Sequence, residues 1–383
     1  MRTYNYRVAD VITLGNIPLG SSSPSNMANL HRVQDAVMAA YAFDVIDDVE
    51  FILLMDINTS NNLDFQHDGG HFELDDFNDD ECRSYFRFKK DDIFRLKHAL
   101  GVPDRITLPN RSRMDGLEAL CLGLQRYAYP CRYGDLVKDY RRPVPQLCLA
   151  FNWVTNFIFD AHKHRLTTLE QHWLAPQQLR IYADVIHQKG APLNNCWGFI
   201  DGTVRPICRP GEHQRVAYNG HKRVHSLKYQ SVTSPNGMIA NLYGPVEGRR
   251  HDAYLLRESG LLTMLEGGSH DAEGNLLCIY GDPAYPVRPQ LQAPFPTANI
   301  TPEQAAFNRA MSKVRITVEW SFGDVINFFK YTDFKKSQKI LLSSCAKMYM
   351  VSAILTNAHT CIYGNNTSSY FELQPPSLDE YFQ

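Results

Sequence analysis

Residues 198–204 read GFIDGTV, an apolar run closed by the carboxylate of Asp201 and followed at once by Gly202. The run is bounded by a turn-forming Asp-Gly, so it reads as a buried strand with a polar residue at its end. One aspartate there serves as a turn residue, a cap, a metal ligand or a nucleophile. Taken alone, Asp-Gly after a strand is most often a turn. A second stretch repeats the arrangement: residues 276–286, LLCIYGDPAYP, run through apolar residues to Asp282 and then to the chain-turning Pro283 and Pro286. If the two strands are neighbours, both carboxylates stand at one edge of a sheet.

Working outward, CWGFIDGTVRPI and LKYQSVTSPNGMIANLYGPV read as strands, the latter split by the hairpin turn Ser234-Pro235-Asn236-Gly237. A helix follows from about Asp252 to Leu265, then the strand before Asp282, a Pro-rich loop, and helices from about Thr301 to Phe329 and Ser337 to Thr360. This succession of strand, hairpin strands, helix, strand and helix is the one expected of an RNase H-like core. The fold class predicted is α/β, an α+β mixed sheet, with an N-terminal helical, helix-turn-helix-like region.

A third carboxylate, Glu319, lies in KVRITVEWSFGDV. On that helix Phe307, Met311, Val314, Val318, Phe322 and Val325 form the apolar stripe, and Glu319 stands about 100° around from Val318, at the stripe's border. The alternative for Glu319 is a surface ion pair with Arg315, four residues earlier. Convergent carboxylates repel one another unless a cation lies between them, and oxygen-only ligands favour Mg²⁺ or Mn²⁺ over zinc. A pair of such ions supports phosphodiester cleavage and strand transfer.

Between 92 and 185 the pattern is helical. DDIFRLKHALG closes on Gly101, DGLEALCLGLQRYAY carries helical apolar spacing, and Leu147, Phe151, Val154 and Ile158 form another stripe. Three short helices with tight turns read either as plain packing or as a DNA-binding unit. Arg126, Arg132, Lys138, Arg141, Arg142, Lys163 and Arg165 favour DNA, with Arg141 and Arg142 as candidate contacts.

With 44% hydrophobic and 21% charged residues in 383, the composition is that of a globular chain, and the formal net charge of −2 gives no global sign of a polyanion binder. Acidic residues crowd at Asp75, Asp76, Asp79, Asp80 and Glu81, so any polyanion site is local. Nine scattered cysteines without a Cys-x-x-Cys pair indicate neither a disulfide framework nor a zinc ribbon. No signal peptide or membrane span is read, and a soluble intracellular chain is expected. The divisions expected are an acidic, partly flexible region over 1–91, the helical region over 92–185, the RNase H-like core over 186–362 and a flexible tail over 363–383. Within the first, GSSSPSN marks an arm to about residue 30 and a helix is expected over about 30–55.

The set WGFIDGTVRPI, YNGHKRVHSLKYQSVTSPNGMIANLYGPVEGRRHDAYLLRESGL, IYGDPAYP and FNRAMSKVRITVEWSFGDV, in this order, resembles the PIF/Harbinger group of DDE transposases and their domesticated nuclease relatives over about residues 110–360. The resemblance implies that the family's catalytic and metal-binding Asp, Asp and Glu fall on Asp201, Asp282 and Glu319. It also implies a two-metal endonuclease or transposase acting on DNA, with a Myb/SANT-like partner protein that assists nuclear entry; nuclear localisation with a cytoplasmic pool and a homo-oligomer are further expectations. His251-Asp252 matches a further motif, with Asp252 either assisting the metal or capping the next helix. Lys222, Arg223, His225 and Lys228 are candidates to hold the phosphate backbone, against the alternative of a solvated basic loop.

Rival readings are weaker. A haloacid-dehalogenase-type phosphatase needs an Asp where this chain has Phe199, and another where it has Pro286. A zinc hydrolase on His67 and His71, or on His162 and His164, lacks a nearby third ligand. The remaining alternative is a catalytically silent, domesticated transposase acting as a DNA-binding or scaffold protein.

Overall fold

The computed structural model describes residues 71–340 and 342–383, together with Val37 and Leu54. The arm and helix expected within 1–70, and His67, lie outside the described residues. Asn78 opens a helix by accepting from the N–H groups of Asp80 and Glu81, while the Glu81 carboxylate accepts from Asn78 N–H. That box caps α1 (Asp79–Phe86), which is followed by α2 (Lys90–Ala99) and a hairpin of β1 (Arg105–Thr107) and β2 (Arg113–Asp115). Asp115 then caps α3 (Gly116–Ala128) through the N–H groups of Leu117 and Glu118. Next come α4 (Tyr133–Tyr140), α5 (Val144–His162), α6 (His164–Thr167) and α7 (Pro176–Gln188).

Beyond α7 the period changes to two. The chain forms β3 (Cys196–Pro206), α8 (Gln214–Ala217), β4 (Tyr218–Asn219), β5 (Val224–Thr233) and β6 (Ile239–Glu247). Gly237 takes φ 84° in the turn between β5 and β6, where a side chain would be strained. Then follow α9 (Asp252–Glu258), α10 (Leu261–Gly268), β7 (Cys278–Tyr280), β8 (Leu291–Gln292), α11 (Pro302–Phe328), α12 (Cys345–Tyr363), α13 (Asn366–Phe371) and α14 (Leu378–Phe382).

The larger sheet is mixed. β3 pairs antiparallel with β5 and parallel with β7, β5 pairs antiparallel with β6 and β4, and β7 pairs parallel with β8. Alternation along β3 sends Phe199 to one face and Ile200 to the other. Phe199 joins Cys278, Tyr280 and the α11 residues Met311, Val314 and Val318, whereas Ile200 joins Val232, Ile279, Leu291 and the Leu256, Leu261 and Leu265 side chains. Each such burial contributes roughly 1.5–3 kcal/mol, so α11 is fixed firmly against β3 and β7. Thr301 and Gln304 cap α11 reciprocally, with Pro302 in the first turn, which sets where the helix begins.

The helices of 92–185 do not stand apart from this sheet. Leu120, Leu124, Phe151 and Val154 share one core with Tyr229, Leu242, Phe329 and Leu355, so packing continues across the division expected at 185/186. Two of the basic residues that favoured DNA are internal: Arg126 lies over the Tyr133 ring and bonds Cys131 O, and Arg165 donates to the carbonyls of Tyr381 and Phe382. The Arg165 bonds reach into 363–383, the segment expected as a flexible tail. Phe371, Leu378 and Tyr381 are buried, and Asn365 and Ser377 cap α13 and α14. A polar average concealed a few apolar anchors at helical spacing. Among the described residues no helix is long and apolar enough to cross a membrane.

Candidate active site

The strand carrying Asp201 does not end there, as the Asp-Gly pair had suggested. β3 continues to Pro206, with Asp201 opposite Ser231 and Gly202 opposite Gln230 on β5. What stops is its other neighbour, because the parallel pairing with β7 finishes at Phe199 and Tyr280. Asp201 and Asp282 each lie two residues beyond that last pair; Asp201 leaves β3 on the face that Phe199 occupies, and Asp282 stands just past the end of β7. The two carboxylates are near enough to act on each other, at a notch where the sheet has lost one ladder.

Gly202 is explained by its neighbour rather than by a turn. A Cβ built there would collide with Asp252 Oδ1, so the glycine admits the first residue of α9 against β3. Asp252 makes no capping bond, and the cap position belongs to His251. Its carboxylate faces Lys228 Nζ at 2.8 Å, outside hydrogen-bond geometry, and Lys228 is itself buried and donates to Arg250 O at 3.1 Å. Of the two readings left open for Asp252, capping is not the one the side chain adopts.

On α11 the stripe at Met311, Val314, Val318, Phe322 and Val325 is buried, with Thr317 and Ser321 beside it bonding the carbonyls of Val314 and Val318. Glu319 is exposed and makes no ion pair with Arg315. Arg315 instead turns to the sheet, its Nη1 donating to Asp201 Oδ2 at 3.2 Å, while Asp201 Oδ1 accepts from Gly202 N–H at 2.8 Å. Asp282 Oδ1 accepts from Ala284 N–H at 3.0 Å, which folds the Pro-rich loop back onto the carboxylate.

Burial pushes the Asp201 carboxyl above the usual carboxylate range. Arg315 and Gly202 N–H oppose this, and Asp282 and Asp252 add to it. Burial likewise raises Asp282, with Ala284 N–H opposing, Asp252 adding, and Arg315 and Lys228 opposing. Tyr285 completes the environment: it is buried, its hydroxyl has no hydrogen-bond partner, and its pKa is raised well up by burial and then by Asp252, Asp201 and Asp282. Sequence reasoning missed Tyr285 and read Arg315 only as a surface partner of Glu319. For Arg315 a signal existed, since it stands one turn before Glu319.

Among the described residues no three His, Cys, Asp or Glu side chains are gathered as a preformed metal site. The donors that do share the notch are all oxygens: Asp201, Asp282, an Asp252 Oδ1 without a hydrogen bond and an unpartnered Tyr285 hydroxyl. An oxygen-only set short of positive charge fits a hard divalent cation such as Mg²⁺ or Mn²⁺. Glu319 is not part of that set in this conformation.

The basic candidates scatter. Lys222 and Arg223 are exposed, whereas His225 is half-buried with its ring edge-on to Tyr218 at 5.4 Å. Lys228 is committed to Asp252 and Arg250. Arg141 is exposed, and Arg142 grips the buried Glu118 through Nε at 2.5 Å and Nη2 at 2.7 Å. His162 and His164 do not pair as ligands, since His162 Nε2 bonds Leu100 O at 3.1 Å.

Residues 200–357 match the family model described as DDE superfamily endonuclease. The matched stretch opens one residue before Asp201, closes within α12, and holds Asp252, Asp282, Arg315 and Glu319. Similarity to this family points to a transposase-type nuclease and to DNA as its substrate. No curated protein and no solved structure matches the chain significantly.

Proposed function

We propose that this chain is a divalent-metal-dependent DNA endonuclease of the DDE transposase type, within the PIF/Harbinger group, built on an RNase H-like core. The observation that carries the reading is the common register of Asp201 and Asp282, each two residues past the last β3–β7 pair. The sheet order β6-β5-β3-β7-β8, antiparallel on one side of β3 and parallel on the other, supports the RNase H-like core. Asp201 and Asp282 hold the ions, Asp252 adds negative charge beside them, and Glu319 joins from α11 on a rearrangement of that helix face. Two bound Mg²⁺ or Mn²⁺ ions supply activation of the attacking oxygen and stabilisation of the leaving one. The chain's own part is positional: burial of Phe199, Ile200, Ile279 and Tyr280 fixes the two backbone points from which the carboxylates project.

The helices of 92–185, with Arg141 on their surface, together with Lys222 and Arg223, supply the contacts to the phosphate backbone, and a Myb/SANT-like partner assists recognition. Action is in the nucleus, with a cytoplasmic pool, and a homo-oligomer pairs the two DNA ends. One observation favours a second reading, a catalytically silent DNA-binding or scaffold protein: Arg315, not Glu319, contacts Asp201. The test is incubation of the purified chain with Mg²⁺ or Mn²⁺ and DNA bearing inverted-repeat ends, beside Asp201→Asn, Asp282→Asn and Glu319→Gln. Cleavage by the wild type and not by the variants is expected, and wild-type activity no greater than that of the variants sinks the nuclease reading.

A further inference from the structure

Three carboxylates, Asp201, Asp252 and Asp282, lie within electrostatic reach of one another, with two side-chain cations, Arg315 and Lys228, beside them, and the two cations are held differently. Lys228 is 8% exposed, lies 2.8 Å from Asp252 Oδ1 and donates to Arg250 O, so both a charge and a backbone bond fix it. Arg315 carries five donors yet makes a single hydrogen bond among the described residues, to Asp201 Oδ2. Its side chain keeps 22% of its surface in solvent. Lys228 is therefore a built-in part of the site, and Arg315 is an exchangeable one.

Both oxygens of Asp201 are engaged, Oδ1 by Gly202 N–H and Oδ2 by Arg315. The first bond is local to the strand and persists whatever binds. The second places a positive group at the oxygen that an incoming cation needs, and like charges at such separation repel. Building on the metal-dependent reading proposed above, we propose that Arg315 is an internal counter-cation that competes with the divalent ion for Asp201, so that loading requires its release. Without an ion, Arg315 offsets the repulsion among three carboxylates that burial has drawn together. Once the ion arrives, that role passes to it, and Arg315 is freed from its one anchor.

The inference makes Arg315 a positioning residue whose loss strengthens ion binding, the opposite of what loss of a ligand does. Mn²⁺ binding to the full chain, followed by electron paramagnetic resonance or calorimetry, separates the cases in wild type, Arg315→Gln, Arg315→Lys and Asp201→Asn. Arg315→Gln is expected to bind about tenfold more tightly, the factor that roughly 1.4 kcal/mol produces. Arg315→Lys, which keeps the charge, should stay within about twofold of wild type, and Asp201→Asn should lose most of the binding. Equal or weaker binding by Arg315→Gln, with Asp201→Asn still defective, overturns the counter-cation role and leaves the metal reading standing. Binding by Asp201→Asn as strong as wild type, or no binding by wild type, overturns both. Because Arg315→Gln loses a stabilising pair, a second measurement follows ion binding in the wild type, with Arg315→Lys used only for assignment. The arginine Nε resonance assigned by its absence from Arg315→Lys should shift or broaden on Mg²⁺ addition, and an unmoved resonance likewise ends the proposal.

Discussion

Arg315 of α11 donates to Asp201 of β3 across 3.2 Å, and so joins the long helix to the central strand by a charge pair beside an otherwise apolar contact. Both side chains are about four-fifths buried, so the pair is less screened than a surface one. In the absence of divalent ions, Arg315→Gln and Asp201→Asn should each destabilise, and the double variant should recover part of the loss. A coupling of about 1–3 kcal/mol is expected from chemical denaturation of the four proteins. Strict additivity of the two single effects is the outcome that contradicts the pairing.

Gly202 and Asp252 offer a cleaner cycle. Gly202→Ala puts a methyl group into Asp252 Oδ1 and should cost about 1–3 kcal/mol, as overpacking does. Asp252→Ala opens that space and should absorb most of the penalty in the double variant. Thermal unfolding of the set reads this directly, and an undiminished cost of Gly202→Ala in the Asp252→Ala background would place the clash elsewhere.

Glu319 separates stability from activity. It is exposed and makes no ion pair among the described residues, so Glu319→Gln should change unfolding by no more than about 0.5 kcal/mol. Under the nuclease reading the same change should abolish cleavage. A large stability loss would instead mean that Glu319 is structural.

Asp324, also on α11, has its carboxyl pushed up to about 6 by burial, and its Oδ2 has no hydrogen-bond partner. A raised folded-state pKa means that the folded chain holds the proton more tightly than the unfolded one. The favourable contribution is therefore complete below about pH 4 and is lost as pH rises through about 6. Asp324→Asn should remove that slope and stabilise the chain above pH 7 by about 1–2 kcal/mol after allowance for solvent screening. Denaturation midpoints at pH 4.5 and 7.5, values chosen roughly either side of that pKa, check it. An unchanged difference between them would exclude Asp324 as the cause.

The C-terminal segment is the last test. Deleting residues 376–383 removes the Leu378 and Tyr381 anchors and the two carbonyl acceptors of the buried Arg165. A loss of about 3 kcal/mol or more is expected, because two buried apolar anchors and both carbonyl bonds of Arg165 are lost together. Removal of a loose tail would cost almost nothing.

What the sequence by itself determined was local. Period-two runs at 196–206 and 224–247, the hairpin glycine at 237 and the capped stripe of α11 are written in residue spacing, because backbone geometry repeats side-chain direction at fixed intervals. The same spacing marked Asp201 and Asp282 as polar residues set against apolar strands. Tertiary structure decided everything that depends on which elements meet. β3 outruns β7, so Asp201 sits within a strand and still faces an opening; Gly202 exists for Asp252, fifty residues away in the chain. The sequence offered Glu319 as the third carboxylate and Arg315 as its surface partner, but the rotation of α11 on the sheet turned the arginine toward Asp201 and left Glu319 in solvent. Helical spacing places both residues on one face, and only packing against β3 and β7 selects which of them reaches the carboxylates.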